Sequence, residues 1–235
     1  MHSETPPTRR TQGVALLERT EYRLVETAED RDAVYRLRYR AYLDSGLIEP
    51  SAAERVCDRY DEASNARIFA VHVDGELCGA VRLHVLTSDR RDCWATQLYG
   101  DVLHPRLDRG EVFVDASRLV ADPDKGREHP ELALVTLRLA YLACDHFDAD
   151  TGIAMVRTDH APFYRRFFRH EIASEPRGFP DWPTRKTVLM TSDFRAFRDQ
   201  VAARFPIMRS NAAERRALFG GLHARTGDAP AEAAE

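Results

Sequence analysis

Residues 111–122, Glu111-Val-Phe-Val-Asp-Ala-Ser-Arg-Leu-Val-Ala-Asp122, decide how this chain folds. Val112, Phe113, Val114, Leu119 and Val120 give the stretch β character. Asp115, Ser117 and Arg118 sit in its middle, and an ionised Asp and a fixed Arg are costly inside an apolar strand unless they are paired or face a solvated pocket. Spacing adds a second constraint. Asp115 and Arg118 are three residues apart, so a regular pleat sends them to opposite faces. They can serve one site only if the strand bulges near Ala116 and Ser117, and such a bulge would splay it from its neighbour and open a cleft. A purely structural ion pair is the alternative reading.

Working outward, residues 68–74 and 77–86 read as an antiparallel hairpin turning at Gly75-Glu76, with Val81, Leu83 and Val85 on one face and Cys78, Ala80, Arg82 and His84 on the other. Residues 22–27 form a short first strand. Thr27-Ala-Glu-Asp30 is a capping-box-like start to a helix reaching about Leu43, with Val34, Leu37 and Ala41 on its buried face, Arg38 at the edge and Tyr42 one turn on. Residues 45–62 are a loop with some helical turns that carries Asp58 and Asp61, and residues 88–110 read as irregular, anchored by Trp94 and Tyr99. On the other side a loop follows Asp122. Pro130 opens a helix to about Phe147, residues 152–157 are a buried parallel strand, and Asp159 caps a helix with Phe163, Tyr164, Phe167 and Phe168 in two apolar stripes. Residues 171–174 and 184–191 read as closing strands, and 193–205 and 211–222 as helices.

The 235 residues suffice for one good core. The expected division is a disordered arm over 1–18, one folded domain over 19–208, and a C-terminal helix with a disordered acidic tail over 209–235. With 43% hydrophobic and 31% charged residues, no membrane-length apolar run and no apolar core behind the N-terminal charges, the reading is a soluble cytoplasmic protein. The four cysteines at 57, 78, 93 and 144 make no CxxC pair, and the nine histidines show no HxxxH or HExxH spacing, so no metal is assigned. A net charge of −4 gives no sign of nucleic-acid binding. Between Arg157 and Arg209, however, eleven Lys and Arg face six Asp and Glu, a basic region suited to an acidic partner.

Four motifs in order carry a resemblance: Arg38 with Tyr42, then Asp58-Arg-Tyr-Asp61, then Gly79-Ala-Val-Arg82-Leu, then Asp115-Ala-Ser-Arg118-Leu. Together with the element order they resemble the Gcn5-related N-acyltransferase (GNAT) superfamily, in the branch of the acyl-homoserine-lactone (autoinducer) synthases and N-acyl amino acid synthases. The resemblance implies an α/β (α+β) fold with a central mixed, splayed sheet of about seven strands, flanked by helices and opening a V-shaped cleft. Departures favour the N-acyl amino acid side. The Trp usual in lactone synthases about six residues after the helix aromatic is Ile48 here, and their usual strand Glu is Asp115. The superfamily's Gly-rich diphosphate loop is replaced by Asp122-Pro-Asp-Lys-Gly-Arg127. That points to an acyl-phosphopantetheine donor on acyl carrier protein rather than acyl-CoA, with no permanently bound cofactor.

The implied reaction is attack of an amino acid's α-amine on a long-chain acyl thioester. In it Asp115 takes the amine proton, directly or through a water, and Tyr164 serves the leaving thiolate. Arg38, Arg82 and Arg118 are set against Asp58, Asp61 and Asp115, with one Arg left to grip a substrate carboxylate and Tyr42 beside them. Leu119, Met155, Phe163 and Phe167 are the candidate acyl pocket, and Arg165, Arg166 and Arg169 the candidate carrier-protein contacts. The lipid product allows peripheral contact with a membrane. The rival readings are lactone synthesis, transfer to another amine such as a lipid precursor, and a catalytically silent acyl-binding module.

Overall fold

The computed structural model describes residues 9–179 and 182–220. Its centre is an open, mostly antiparallel sheet of eight strands: β1 (Thr20–Leu24), β2 (Ala66–Val73), β3 (Glu76–Leu86), β4 (Phe113–Ala121), β5 (Thr151–Arg157), β6 (Glu171–Ile172), β7 (Arg177–Phe179) and β8 (Trp182–Asp193). The order is β1-β2-β3-β4-β5-β8-β6, with β7 also on β8. β4 and β5 form the parallel pair, as the buried run at 152–157 leads one to expect, and β7 is a strand the sequence reading missed. The β2/β3 turn is Asp74-Gly75, one residue earlier than expected. Both residues have positive φ, 50° and 84°, the conformation of the turn whose twist matches a hairpin.

Helices cover both faces. α2 (Ala28–Asp44) and α3 (Trp94–Asp108) lie on one, while α1 (Arg9–Glu18), α5 (Leu132–His146), α6 (Ala161–Phe168), α7 (Phe194–Arg204) and α8 (Ala212–Phe219) lie on the other. Thr27 caps α2, accepting from the Asp30 N–H at 3.1 Å. α5 buries Leu132, Val135, Leu139 and Leu142 at 0% exposure, each worth about 1.5–3 kcal/mol of transfer free energy.

Three expectations change. The stretch 88–110 is not irregular, because Cys93 caps α3, its sulfur accepting from the Thr96 N–H at 3.4 Å. Ala95, Tyr99, Leu103 and Leu107, spaced four apart, bury one stripe against Leu86, Phe113 and Ile153. Gly100 and Pro105 mask that periodicity to the eye. The segment after Asp122 is a short helix, α4 (Pro123–Glu128), not a loop.

The domain boundaries also move outward. The supposed arm is helical from Arg9 and buries Leu16 in the main core. At the other end Arg138, 2% exposed, donates to the carbonyls of Ile207 (2.5 Å) and Arg209 (2.8 Å) and pairs with Glu214 at 2.8 Å. α8 is thereby fixed to α5 and belongs to the folded body. Residues 1–8 and the expected tail beyond 220 lie outside the described residues.

Candidate active site

β4 carries the expected bulge, slightly downstream of the expected place. Ala80 pairs with Val120 and Arg82 with Ser117, so Val81 faces two residues, Arg118 and Leu119. Arg118 adopts φ +51°, left-handed backbone that costs a non-glycine residue about 1–2 kcal/mol. Asp115, Ser117 and Arg118 thus act on one side. Asp115 stands opposite His84, Ser117 accepts from Arg82 Nε at 3.2 Å, and Arg118 Nε reaches Asp58 at 2.9 Å.

The Asp58-to-Asp61 motif forms a single 3-10 turn closed by a reciprocal capping box. The Asp58 carboxylate accepts from the Tyr60 N–H and the Asp61 carboxylate from the Asp58 N–H, both at 2.9 Å. This turn delivers two carboxylates to three arginines. Asp61 takes two contacts from Arg38, at 2.9 and 3.0 Å, and one from Arg82 at 3.0 Å. Asp58 takes Arg82 at 2.6 Å, Arg118, and the Trp94 indole N–H at 3.3 Å. Burial alone would raise the Asp58 carboxyl, but the charges of Arg118 and Arg82 outweigh it and hold it well below the usual carboxylate range. Burial opposes the charge on Arg118, yet Tyr42 and Asp58 more than offset it, and the guanidinium is held above its ordinary value. Tyr42 lies under Arg118, 5.9 Å from ring centre to guanidinium. The side chains of Arg38 and Arg82 are 0% exposed while Arg118 keeps 20%, so of the three only Arg118 is open to an incoming group.

Asp115 does not join this network, contrary to the expected six-member cluster. It is 2% exposed, its Oδ1 lacks a hydrogen-bond partner, and its Oδ2 lies 3.4 Å from His84 Nδ1. It is also the last β4 residue paired with β5. Phe113, Val114 and Asp115 face Thr151, Gly152 and Ile153, and beyond them the two strands part. The V of the sheet therefore opens at Asp115.

Behind that opening, on the α5 side, lies a narrow apolar slot of about 50 Å³. Val114, Ala116, Leu137, Ala140, Cys144, Gly152, Ala154, Tyr164, Phe168 and His170 are in its wall, and Phe194, Phe197 and Val201 close it from α7. Leu119, Met155, Phe163 and Phe167, the expected wall, lie outside it. Phe163 and Phe167 stack on each other at 4.6 Å, Phe167 also packs on Phe205, and Met155 alternates to the α3 side of β5. Burial, followed by the nearby charge of Asp115, pushes the Tyr164 hydroxyl up to about 12, so it remains a proton donor at neutral pH. Burial pushes His170 down to about 4 and leaves it neutral.

Arg165, Arg166 and Arg169 are exposed at and just beyond α6. The N-terminus of α4 is occupied by the chain's own Asp122, whose carboxylate accepts from Asp124 N and Lys125 N at 3.1 and 3.3 Å. His84 and Trp94 were not singled out by motif. For His84 the available signal was its place on the Arg82 face of β3, for Trp94 the spacing of α3. No helix among the described residues is long and apolar enough to cross a membrane.

The sequence model of the family described as N-acyl amino acid synthase FeeM matches residues 33–193. No curated protein matches the chain by sequence. Among solved structures, FeeM, an N-acyl amino acid synthase from uncultured soil microbes, superposes with a TM-score of 0.63 at 15% identity, covering 79% of this chain and 96% of that one. TofI, in a ternary complex with an inhibitor and MTA, gives 0.57 at 18% identity over 83% of this chain and 98% of its own. BjaI, a CoA-dependent acyl-homoserine lactone synthase bound to SAM and isopentyl-CoA, gives 0.54 at 18% identity over 76% and 83%. At these identities the structural likeness speaks to the fold.

Proposed function

The chain belongs to the N-acyl amino acid synthase FeeM family and is an acyltransferase, and on that premise we propose that it moves a long-chain acyl group from a phosphopantetheine thioester to the α-amine of an amino acid. One observation carries the reading: Asp115 stands where β4 and β5 part, with the apolar slot on one face and the half-open Arg118 on the other. A thioester whose first acyl carbons enter the slot and an amine whose carboxylate is held by Arg118 would meet at Asp115.

In this reading Asp115 takes a proton from the amine nitrogen as the C–N bond forms. The tetrahedral oxyanion is held by backbone N–H groups of β4 that β5 no longer pairs. Collapse breaks the C–S bond, and Tyr164, protonated at neutral pH, supplies the thiolate's proton. Acyl carrier protein is the favoured donor over CoA. The α4 N-terminus, already filled by the Asp122 carboxylate, is a poor seat for a diphosphate, and Arg165, Arg166 and Arg169 present positive charge to an acidic carrier.

Mass spectrometry of lipid extracts from cells overexpressing the protein tests the reading, paired with assays of the purified chain on palmitoyl-acyl carrier protein and palmitoyl-CoA. N-acyl amino acids made faster from the carrier-bound donor are expected. Acyl-homoserine lactones would move the chain to the rival chemistry, and a faster CoA reaction would overturn the donor assignment.

A further inference from the structure

His84 and Asp115 are direct partners across β3 and β4 and are enclosed at 0% and 2% exposure. His84 Nε2 lies 3.3 Å from the Tyr60 carbonyl oxygen. That oxygen can only accept, so Nε2 carries the hydrogen. The other ring nitrogen, Nδ1, is 3.4 Å from Asp115 Oδ2. Were Nδ1 bare, its lone pair would face a carboxylate lone pair in a dry interior, an arrangement that electrostatics opposes. A proton therefore belongs between them. Neither His84 Nδ1 nor Asp115 Oδ1 makes a hydrogen bond, so the Nδ1–Oδ2 approach at 3.4 Å is a close charge contact and Oδ1 is open.

The surrounding groups do not compete for that proton. On β3, Arg82 is engaged by Asp58, Asp61 and Ser117. At the α3 cap, burial and the Asp115 charge push the Cys93 thiol up to about 12, and across the sheet Tyr164 on α6 is pushed equally far. Tyr60 offers His84 its carbonyl and a ring edge at 6.4 Å.

We propose that His84 is a positioning residue for the transfer, carrying the shared proton on Nδ1 so that Asp115 is held ionised with Oδ1 free to receive the amine proton. The inference rests on Asp115 being the base. Its step balances without oxidant or reductant. The ammonium form of the acceptor loses one proton to water before attack, and the nitrogen gives a second to Asp115 Oδ1 as the C–N bond forms. The C–S electron pair leaves on sulfur, which takes a proton from Tyr164, and the proton on Asp115 then restores Tyr164 through water. The products are the amide, a thiol and one released proton.

The test is His84→Gln in the full chain, since Gln can donate to Asp115 but cannot carry charge. Thiol release from palmitoyl-acyl carrier protein, with an equimolar mixture of the twenty L-amino acids, is followed from pH 5.5 to 9. The expected result is a kcat reduced roughly 100-fold with KM little changed. The shape of the pH profile should also change, with the alkaline limb of the wild type absent. A profile of wild-type shape with lower amplitude would overturn the proposal. Nitrogen-15 spectra of histidine-labelled protein supply a readout that needs no turnover. At pH 7 both His84 nitrogens should carry hydrogen, and Asp115→Asn should convert the ring to the neutral Nε2–H tautomer. A bare Nδ1 in the wild type would also overturn it. If Asp115→Asn keeps near-normal rates, the base reading itself fails. If Asp115→Asn is inactive while His84→Gln keeps the wild-type profile, only the role of His84 falls.

Discussion

The two faces of the sheet solve opposite problems with the same strand. On the α2/α3 side β4 meets buried charge: three arginines, two aspartates on one tight turn and the His84–Asp115 pair, held by direct contacts of 2.6–3.4 Å. On the α5 side it meets a mostly apolar slot, with Arg198 also in its wall, in which Tyr164 and His170 are held uncharged at neutral pH. Buried charge constrains geometry because a polar group removed from water without its partner is costly. An apolar wall tolerates change so long as volume is kept. In the proposed reading the charged face fixes geometry and handles protons, and the apolar face takes the acyl chain.

The sharpest way to break this contrast is Asp115→Asn, which removes the group at the seam of both faces. Turnover should fall about 1,000-fold or more while circular dichroism and thermal unfolding change little, and near-normal rates would end the assignment of chemistry to the charged side. Next is Asp61→Asn, which leaves Arg38 and Arg82 without their shared counter-charge. A loss of about 3–5 kcal/mol in urea unfolding is expected, and a loss below 1 kcal/mol would mean the network is not the rigid element.

The smallest effect separates the faces by pH. His170 has its native pKa lowered from 6.5 to about 4, so the unfolded chain binds the extra proton in that window. The associated stability, about 3 kcal/mol, is complete above pH 6.5 and is lost as pH falls toward 4. Asp58, also lowered, keeps its contribution down to the ordinary carboxylate range near pH ~4 and loses it only below. An acid titration of stability should therefore drop first for the apolar face. His170→Gln should shrink that early segment, to which His72 and His146, also lowered by burial, contribute, and leave the later one, and an unchanged curve would remove His170 from the account.

Much of this was legible in the residues. The hairpin, the α2 cap and the parallel strand follow from local spacing, and the pairing of Arg38, Arg82 and Arg118 with Asp58 and Asp61 follows from the family resemblance together with the cost of unpaired charge. The need for a bulge followed from a three-residue interval. Its position did not, because Ser117 and Arg118 can each serve as the irregular residue and the choice is made by Asp58 and Tyr42, distant in sequence. The slot has a different wall from the one expected for an acyl chain. The reading chose large apolar residues on β4, β5 and α6, whereas a slot is where side chains are small, and Ala116, Ala140, Gly152 and Ala154 leave the space. The α1 helix was hidden by a polar composition, with Leu16 seated against distant segments.

The extra residue at Arg118 acts on β4 as a frameshift acts on a message. Upstream, odd-numbered residues look toward α2 and α3, as Phe113 and Asp115 do, and even-numbered Val114 and Ala116 look toward α5. Downstream the parity is exchanged, with Val120 in the α2 core and Leu119 and Ala121 on the α5 side. Any relative that lacked this single residue would read its strand in the other phase from that point on, so an alignment of β4 has to keep the two halves in separate registers before any of its side chains can be compared.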